Sequence, residues 1–239
     1  MICLDGYIML RSDITGNDFF EAPLLDDGTS SEAPSEGSAK IVDSVAYLHD
    51  DNGSIGVYVS AIIENTSDSA IQITNVSCDL EDENGAYLML IDDYSFSEPC
   101  PSIVQPGEQT YVAGYTFDYY DILENSEMSV VALMHIEYEE TDLTVTAMEV
   151  ESAEIIEFSG SYYGINGRVI NPYDYPVEDA YAAVALFDDN DEYMGLIVSR
   201  PLDTIERNGK MGIPDAYTPL PQVFSLDDIK TIVPMAYAK

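Results

Sequence analysis

Basic residues are scarce in this chain. Against 45 Asp and Glu stand only 8 Lys and Arg, giving a formal charge of −37 and a pI near 4.1. Binding DNA or RNA draws on cationic side chains to neutralise phosphates, so that shortage argues against a nucleic-acid partner. Anionic membrane surfaces are disfavoured for the same reason. Cations, basic proteins and neutral sugars remain open, and the acids themselves read first as solvated, solubilising faces. Tryptophan is absent, and His49 and His135 are the only histidines, so a zinc site would need acidic or Cys partners brought from afar. The three cysteines, Cys3, Cys78 and Cys100, are too few for a disulfide framework. No run approaches the ~20 apolar residues of a membrane span. Met1–Leu10 is apolar but short, carries Asp5 and lacks a basic leading region, so it does not read as an intact signal peptide. Neither a nucleophile-elbow pattern nor a phosphate-cradling glycine loop occurs. No cofactor and no enzymatic activity are expected.

What is present is a stretch that occurs twice. Asn65–Tyr87 aligns without a gap on Asn171–Tyr193 at an offset of 106 residues. Identities fall at Asn65/Asn171, Asp68/Asp174, Leu80/Leu186, Asp82/Asp188, Asn84/Asn190 and Tyr87/Tyr193. A self-match at fixed offset sets the plan of a chain before any single motif does.

Around this repeat the pattern is that of short strands. Val57, Val59, Ala61 and Ile63 alternate as one face of a half-buried strand, with Tyr163, Ile165, Gly167 and Val169 in the second copy. Val76, Cys78 and Leu80 alternate next, matched by Ala182, Val184 and Leu186. Acidic turns follow at Asp82–Gly85 and Asp188–Asp191, and further strands begin at Tyr87 and Tyr193. The turn Gln105-Pro106-Gly107-Glu108 is replaced in copy two by Arg207-Asn208-Gly209-Lys210. Each copy ends on an apolar strand, Val130–Tyr138 and Ile232–Tyr237, and Ser225–Asp228 has capping-box spacing for one helical turn. No helical period of any length appears. The expectation is an all-β chain of two sandwich domains, 40–140 and 141–239. Before them comes an N-terminal segment over 1–39, whose Asp26–Ala39 part, rich in Ser, Gly, Pro and acid, reads as a flexible tether.

The stretches Cys78-Asp79-Leu80-Glu81-Asp82 and Val184-Ala185-Leu186-Phe187-Asp188, with the upstream Asn65 and Asn171 and the downstream Pro106-Gly107-Glu108, resemble the FxLYD family of bacterial extracytoplasmic domains. Cys or Val stands at that motif's Phe position, and Glu or Phe at its Tyr position. The resemblance implies two tandem immunoglobulin-like β-sandwiches outside the bacterial cytoplasm, secreted or lipid-anchored. Cys3 followed by the polar tether is similar to a lipoprotein start.

Candidate sites are few. Asp188–Glu192 clusters carboxylates but lacks the Gly and the distal Glu of a helix–loop–helix calcium site, so weak Ca²⁺ attraction is the expectation. Cys78 reads as a small core hydrophobe, with a Cys78–Cys100 bridge as the alternative. The segment Asn171-Pro172-Tyr173-Asp174-Tyr175-Pro176 differs most from its counterpart, placing two tyrosines between prolines where copy one has Ser67 and Ser69. Rigid rings with a polar tip suit a binding surface. Tyr173, Asp174 and Tyr175 are therefore the candidate contact residues, for a protein or glycan at the cell surface; coverage of the sandwich end is their structural alternative. The function expected is binding or interaction. Its rival is a cytoplasmic acidic decoy that mimics DNA and occupies a nucleic-acid-binding protein.

Overall fold

Apolar residues at every second position of Ser54–Asn65 build the strand on which both halves of the molecule rest. The computed structural model describes residues 8–16, 39–51, 54–82, 84–92, 95–118, 122–123, 130–157, 162–213, 218–219 and 225–238. These residues are all-β, with a short 3₁₀ turn at Leu226–Asp228 and no α-helix among them. The expected capping box forms at that turn: Ser225 Oγ accepts from the Asp227 amide, and the Asp228 carboxylate accepts from the Ser225 amide.

In the first half, β1 (Ile8–Gly16), β2 (Ala39–Asp51), β3 (Ser54–Asn65), β4 (Ile71–Asp82), β5 (Tyr87–Ile91), β6 (Ile103–Val104), β7 (Gln109–Phe117) and β8 (Val130–Glu140) make two sheets. One has the order β2-β3-β7; the other runs β1-β8-β4-β5, with β6 on β4. Their facing sides enclose one core, where Val57, Val59, Ala61, Ile63 and Val112 meet Val76, Cys78, Leu80, Met134 and Ile136. This is sandwich packing, in which the inward positions of each sheet alternate with outward ones.

The second half contains β9 (Thr146–Glu157), β10 (Tyr162–Ile170), β11 (Ala180–Phe187), β12 (Tyr193–Val198), β13 (Lys210–Gly212), β14 (Thr218–Pro219) and β15 (Thr231–Ala238). Here β9 pairs with both β10 and β15, so the strands form one continuous sheet ordered β12-β11-β15-β9-β10-β13, with β14 on β10, where the first half has two. The hairpin and terminal-strand pairings nevertheless match those of the first half. Leu80 opposes Met89 across β4–β5, and Leu186 opposes Gly195 across β11–β12, each shifted by the same 106 residues. A one-residue bulge follows immediately in both hairpins, between Leu80 and Glu81 and between Leu186 and Phe187. The terminal strand of each half lies against the repeat strand, β8 on β4 and β15 on β11. Leu80 and Leu186 are both fully buried. Alanine at either position is expected to cost about 2–5 kcal/mol, read as a lowered denaturant midpoint at unchanged slope. A loss under about 0.5 kcal/mol, the size of an ordinary surface substitution, would refute their place in the core.

Two expectations are corrected, and one segment the sequence left open is filled. Met1–Leu25 shows no clear period, and within it Ile8–Gly16 pair in parallel with β8 from Ile8–Val130 to Gly16–Tyr138. Ala39, assigned to the tether, opens β2 and is buried; the rest of that tether and Cys3 lie outside the described residues. Finally, β3 is buried on both faces. Its second face, Tyr58, Ser60 and Ile62, joins Val45 and Ala113 in a buried cluster with Ala183, Ala185, Leu196 and Met235 of the other half. The same cluster continues into Val184, Leu186, Tyr163 and Ile165. The hairpin and terminal-strand pairings thus repeat on either side of residue 140, each half keeps a buried cluster of its own, and a third cluster runs across the boundary.

Hydroxyls pin this seam. Strand β12 is a sheet edge, whose unpaired backbone groups need partners if buried. The Tyr58 hydroxyl supplies them, accepting from the Leu196 amide at 2.8 Å and donating to the Leu196 carbonyl at 3.1 Å. Ser60 Oγ donates its one proton to the Val112 carbonyl at 2.7 Å, so the 2.6 Å contact with Tyr193 is donated by the Tyr193 hydroxyl. Gly195 lets the two halves approach. Its φ is +145°, and a Cβ there would sit 2.7 Å from the Tyr58 oxygen. Only glycine takes that conformation without strain.

Candidate binding surface

The Asn171 side chain builds the candidate loop. It is fully buried, and its Nδ2 donates to the carbonyls of Tyr175 (2.8 Å), Ile205 (3.0 Å) and Glu206 (3.2 Å). Its Oδ1 accepts from the Tyr173 amide at 2.9 Å. Asn65 does the same in the first half, holding the carbonyls of Ser69 and Val104 and accepting from Ser67. The shared Asn is thus an internal staple that satisfies loop backbone groups no strand can reach. The backbone bonds Asn65 N to Glu108 O and Asn171 N to Gly209 O close the two loops alike. Arg207-Asn208-Gly209 therefore serves copy two as Pro106-Gly107-Glu108 serves copy one, with Asn208 at φ +52° and Gly107 at φ +76°.

On that staple the two candidate rings stack, their centroids 5.2 Å apart and their planes 24° from parallel. Tyr173 is the inner one. It is half-buried against the second-half core, and its hydroxyl donates to the Ala147 carbonyl at 3.0 Å. Tyr175 is the outer one, 48% exposed, and Asp174 between them is exposed as well. The three candidate residues are brought together, but in different roles. Tyr173 covers the sandwich end and supports Tyr175; Tyr175 and Asp174 are the groups open to a partner.

The other candidates are occupied by structural tasks. Asp188 Oδ1 accepts from the amides of Asn190 (2.8 Å) and Glu192 (2.9 Å), and Asp82 Oδ1 from those of Asn84 and Ala86 (2.8 Å each). Those donors hold both carboxyls below the usual range, the Glu192 amide contributing most at Asp188 and the Ala86 amide at Asp82. The acids shape their own turns, and no group of metal-ligating side chains gathers among the described residues. His135 sits mid-strand with Nε2 3.0 Å from Asp79 Oδ2 on the outer face of the first half; the side chain of His49 is outside the described residues. Cys78 and Cys100 are buried free thiols, not a bridge. Burial pushes each up to about 12, which keeps them protonated and poor nucleophiles.

Comparison with protein-family models gives no match, and a search of curated proteins finds none either. Among the described residues, no helix is long and apolar enough to cross a membrane.

The seam is what reading the sequence missed. Its signal was available: Val57-Tyr58-Val59-Ser60-Ala61-Ile62-Ile63 and Ala182-Ala183-Val184-Ala185-Leu186-Phe187 carry small or apolar residues at the outward positions too, the mark of a strand covered on both sides.

Proposed function

We propose that this protein is a non-enzymatic, extracytoplasmic binding or interaction protein, secreted or lipid-anchored and built of two tandem immunoglobulin-like sandwiches of the FxLYD kind, that engages a protein or glycan at the bacterial surface through Tyr175 and Asp174. The observation that carries this reading is the stacked tyrosine pair on a loop whose backbone is already held by Asn171. A loop fixed beforehand loses little entropy on binding, and a rigid aromatic is the commonest anchor of an interface. The buried, protonated thiols and the turn-bound carboxylates support a binding role over a catalytic one.

The decoy alternative needs an unbroken row of carboxylates. Glu149, Glu151 and Glu154 form a row on β9, opposite Ile170, Arg168 and Asn166, with a bulge between Glu151 and Glu154. Lys210 Nζ binds both oxygens of Glu151, at 2.9 and 3.0 Å, and Arg168 is its cross-strand partner. Cations therefore interrupt the row.

The test is retention of cell-wall glycans and surface proteins on the immobilised full chain. Tyr175→Ala is expected to weaken the retained partner by about tenfold or more, with thermal stability nearly unchanged because the ring is half exposed. An unchanged partner list would overturn the proposal.

A further inference from the structure

A second candidate site lies where the two halves meet. An open cleft of about 390 Å³ is walled by Phe96 and Tyr115 of the first half and Tyr181, Val198 and Pro201 of the second, with Glu98 on its rim. That volume is within the range of small-molecule sites, and junctions between packed units are where such sites concentrate. The Phe96 ring is set by its neighbour: Phe96 bridges to Gly114, and a Cβ on Gly114 would lie 2.8 Å from three ring carbons. Only a glycine leaves room for a ring lying flat on the strand, so the aromatic wall is built into the backbone.

The chemistry of the lining points to one ligand class. Three of its hydroxyls are committed to the fold. Ser199 Oγ accepts from the Ala182 amide and donates to the Arg200 carbonyl; Ser95 Oγ donates to Asp92; the Tyr58 hydroxyl is held by Leu196 on both sides. A sugar, which needs many hydrogen-bonding partners, is denied these three. An anion finds no cationic partner, for no Lys, Arg or His is among the lining residues. What the cleft offers is partly exposed aromatic surface from three rings and one carboxylate. That combination attracts a cation carrying no donors of its own, through the ring quadrupoles and the nearby negative charge. The surrounding field of a chain at −37 raises the local concentration of such cations.

We propose that this cleft binds a quaternary ammonium group, held by Phe96, Tyr115 and Tyr181 with Glu98 as counter-charge. The site is independent of the Asn171–Pro176 loop and uses none of its residues.

The experiment titrates the isotope-labelled full chain with choline, and in parallel with its neutral isostere in which carbon replaces nitrogen, at matched ionic strength. Choline is expected to shift the amide signals of Ser97, Gly114 and Val198 saturably, with the neutral isostere about tenfold weaker. Tyr181→Ala should weaken choline by about tenfold and Glu98→Gln by about fivefold, each within the span of a desolvated cation–π or charge contact. Tyr175→Ala should leave it unchanged, which separates this site from the loop. Equal binding of the isostere would make the cleft a merely apolar pocket and overturn the assignment. Shifts confined to the acidic turns at Asp82 and Asp188, or no saturable shift, would overturn it as well.

Discussion

Tyr58→Ala is expected to destabilise the chain by about 3–5 kcal/mol, the range for emptying a buried aromatic site. Tyr58 is fully buried and stacks on Tyr47 at 6.2 Å, and its hydroxyl serves both backbone groups of Leu196 across the seam. Tyr58→Phe separates the two contributions. The ring stays, while the Leu196 amide and carbonyl lose their partner in a dry environment, a loss of about 1–3 kcal/mol. Denaturant unfolding of the full chain, followed by tyrosine fluorescence and far-ultraviolet dichroism together, measures both. The wild-type chain should unfold in one transition by both probes, because a buried cluster shared by the halves couples them. In Tyr58→Ala the two probes should separate as the second half loosens from the first. An alanine variant within about 1 kcal/mol of wild type, where ordinary substitutions fall, would mean the seam contributes little.

Alkaline pH should unfold the protein cooperatively. Burial holds the Cys78 and Cys100 thiols at about 12 against an ordinary 9.0, Tyr58 at about 12 against 10.0, and Tyr193 well above 10.0. These groups are kept neutral in the fold and ionise more readily in the unfolded chain. Their contribution to stability is therefore complete below pH 9 and lost as pH rises from there through about 12. Each unit of displacement corresponds to about 1.4 kcal/mol, so several such groups together rival the ~5–15 kcal/mol of a whole domain. Tyrosinate absorbance from the buried rings should appear together with loss of the β signal. Cys78→Val, which installs the residue present at the matching position 184, should move that transition to higher pH. Complete titration of all tyrosines near pH 10 with the fold intact would refute the account.

Much of the architecture was legible because strands declare themselves by alternation. Val76, Cys78 and Leu80, and the acidic turns that follow in both copies, could be placed from the residues alone, since a period of two admits one inward set. The buried Asn pair was visible as an identity, but not as a staple: its partners, Val104 and Ile205, lie more than thirty residues away and come close only through the fold. Strand β1 escaped notice because what it pairs with is the open edge of β8, a property of the sheet rather than of Ile8–Gly16. The tyrosine loop was found by comparing copies, though nothing in Tyr173 and Tyr175 alone says which ring lies beneath. The cleft is formed from both halves and has no local signature at all.

The outward positions of the repeat strand also set the two halves apart. In β11 they are Ala183, Ala185 and Phe187, which lie against the second face of β3; in β4 the same positions are Ser77, Asp79 and Glu81. The positions of β10 that match Tyr58, Ser60 and Ile62 are Gly164, Asn166 and Arg168, the last two exposed. A gene duplication appending another second-half unit would present its alanine face to an asparagine and an arginine, and one added in front would meet two carboxylates. The halves are therefore not interchangeable parts.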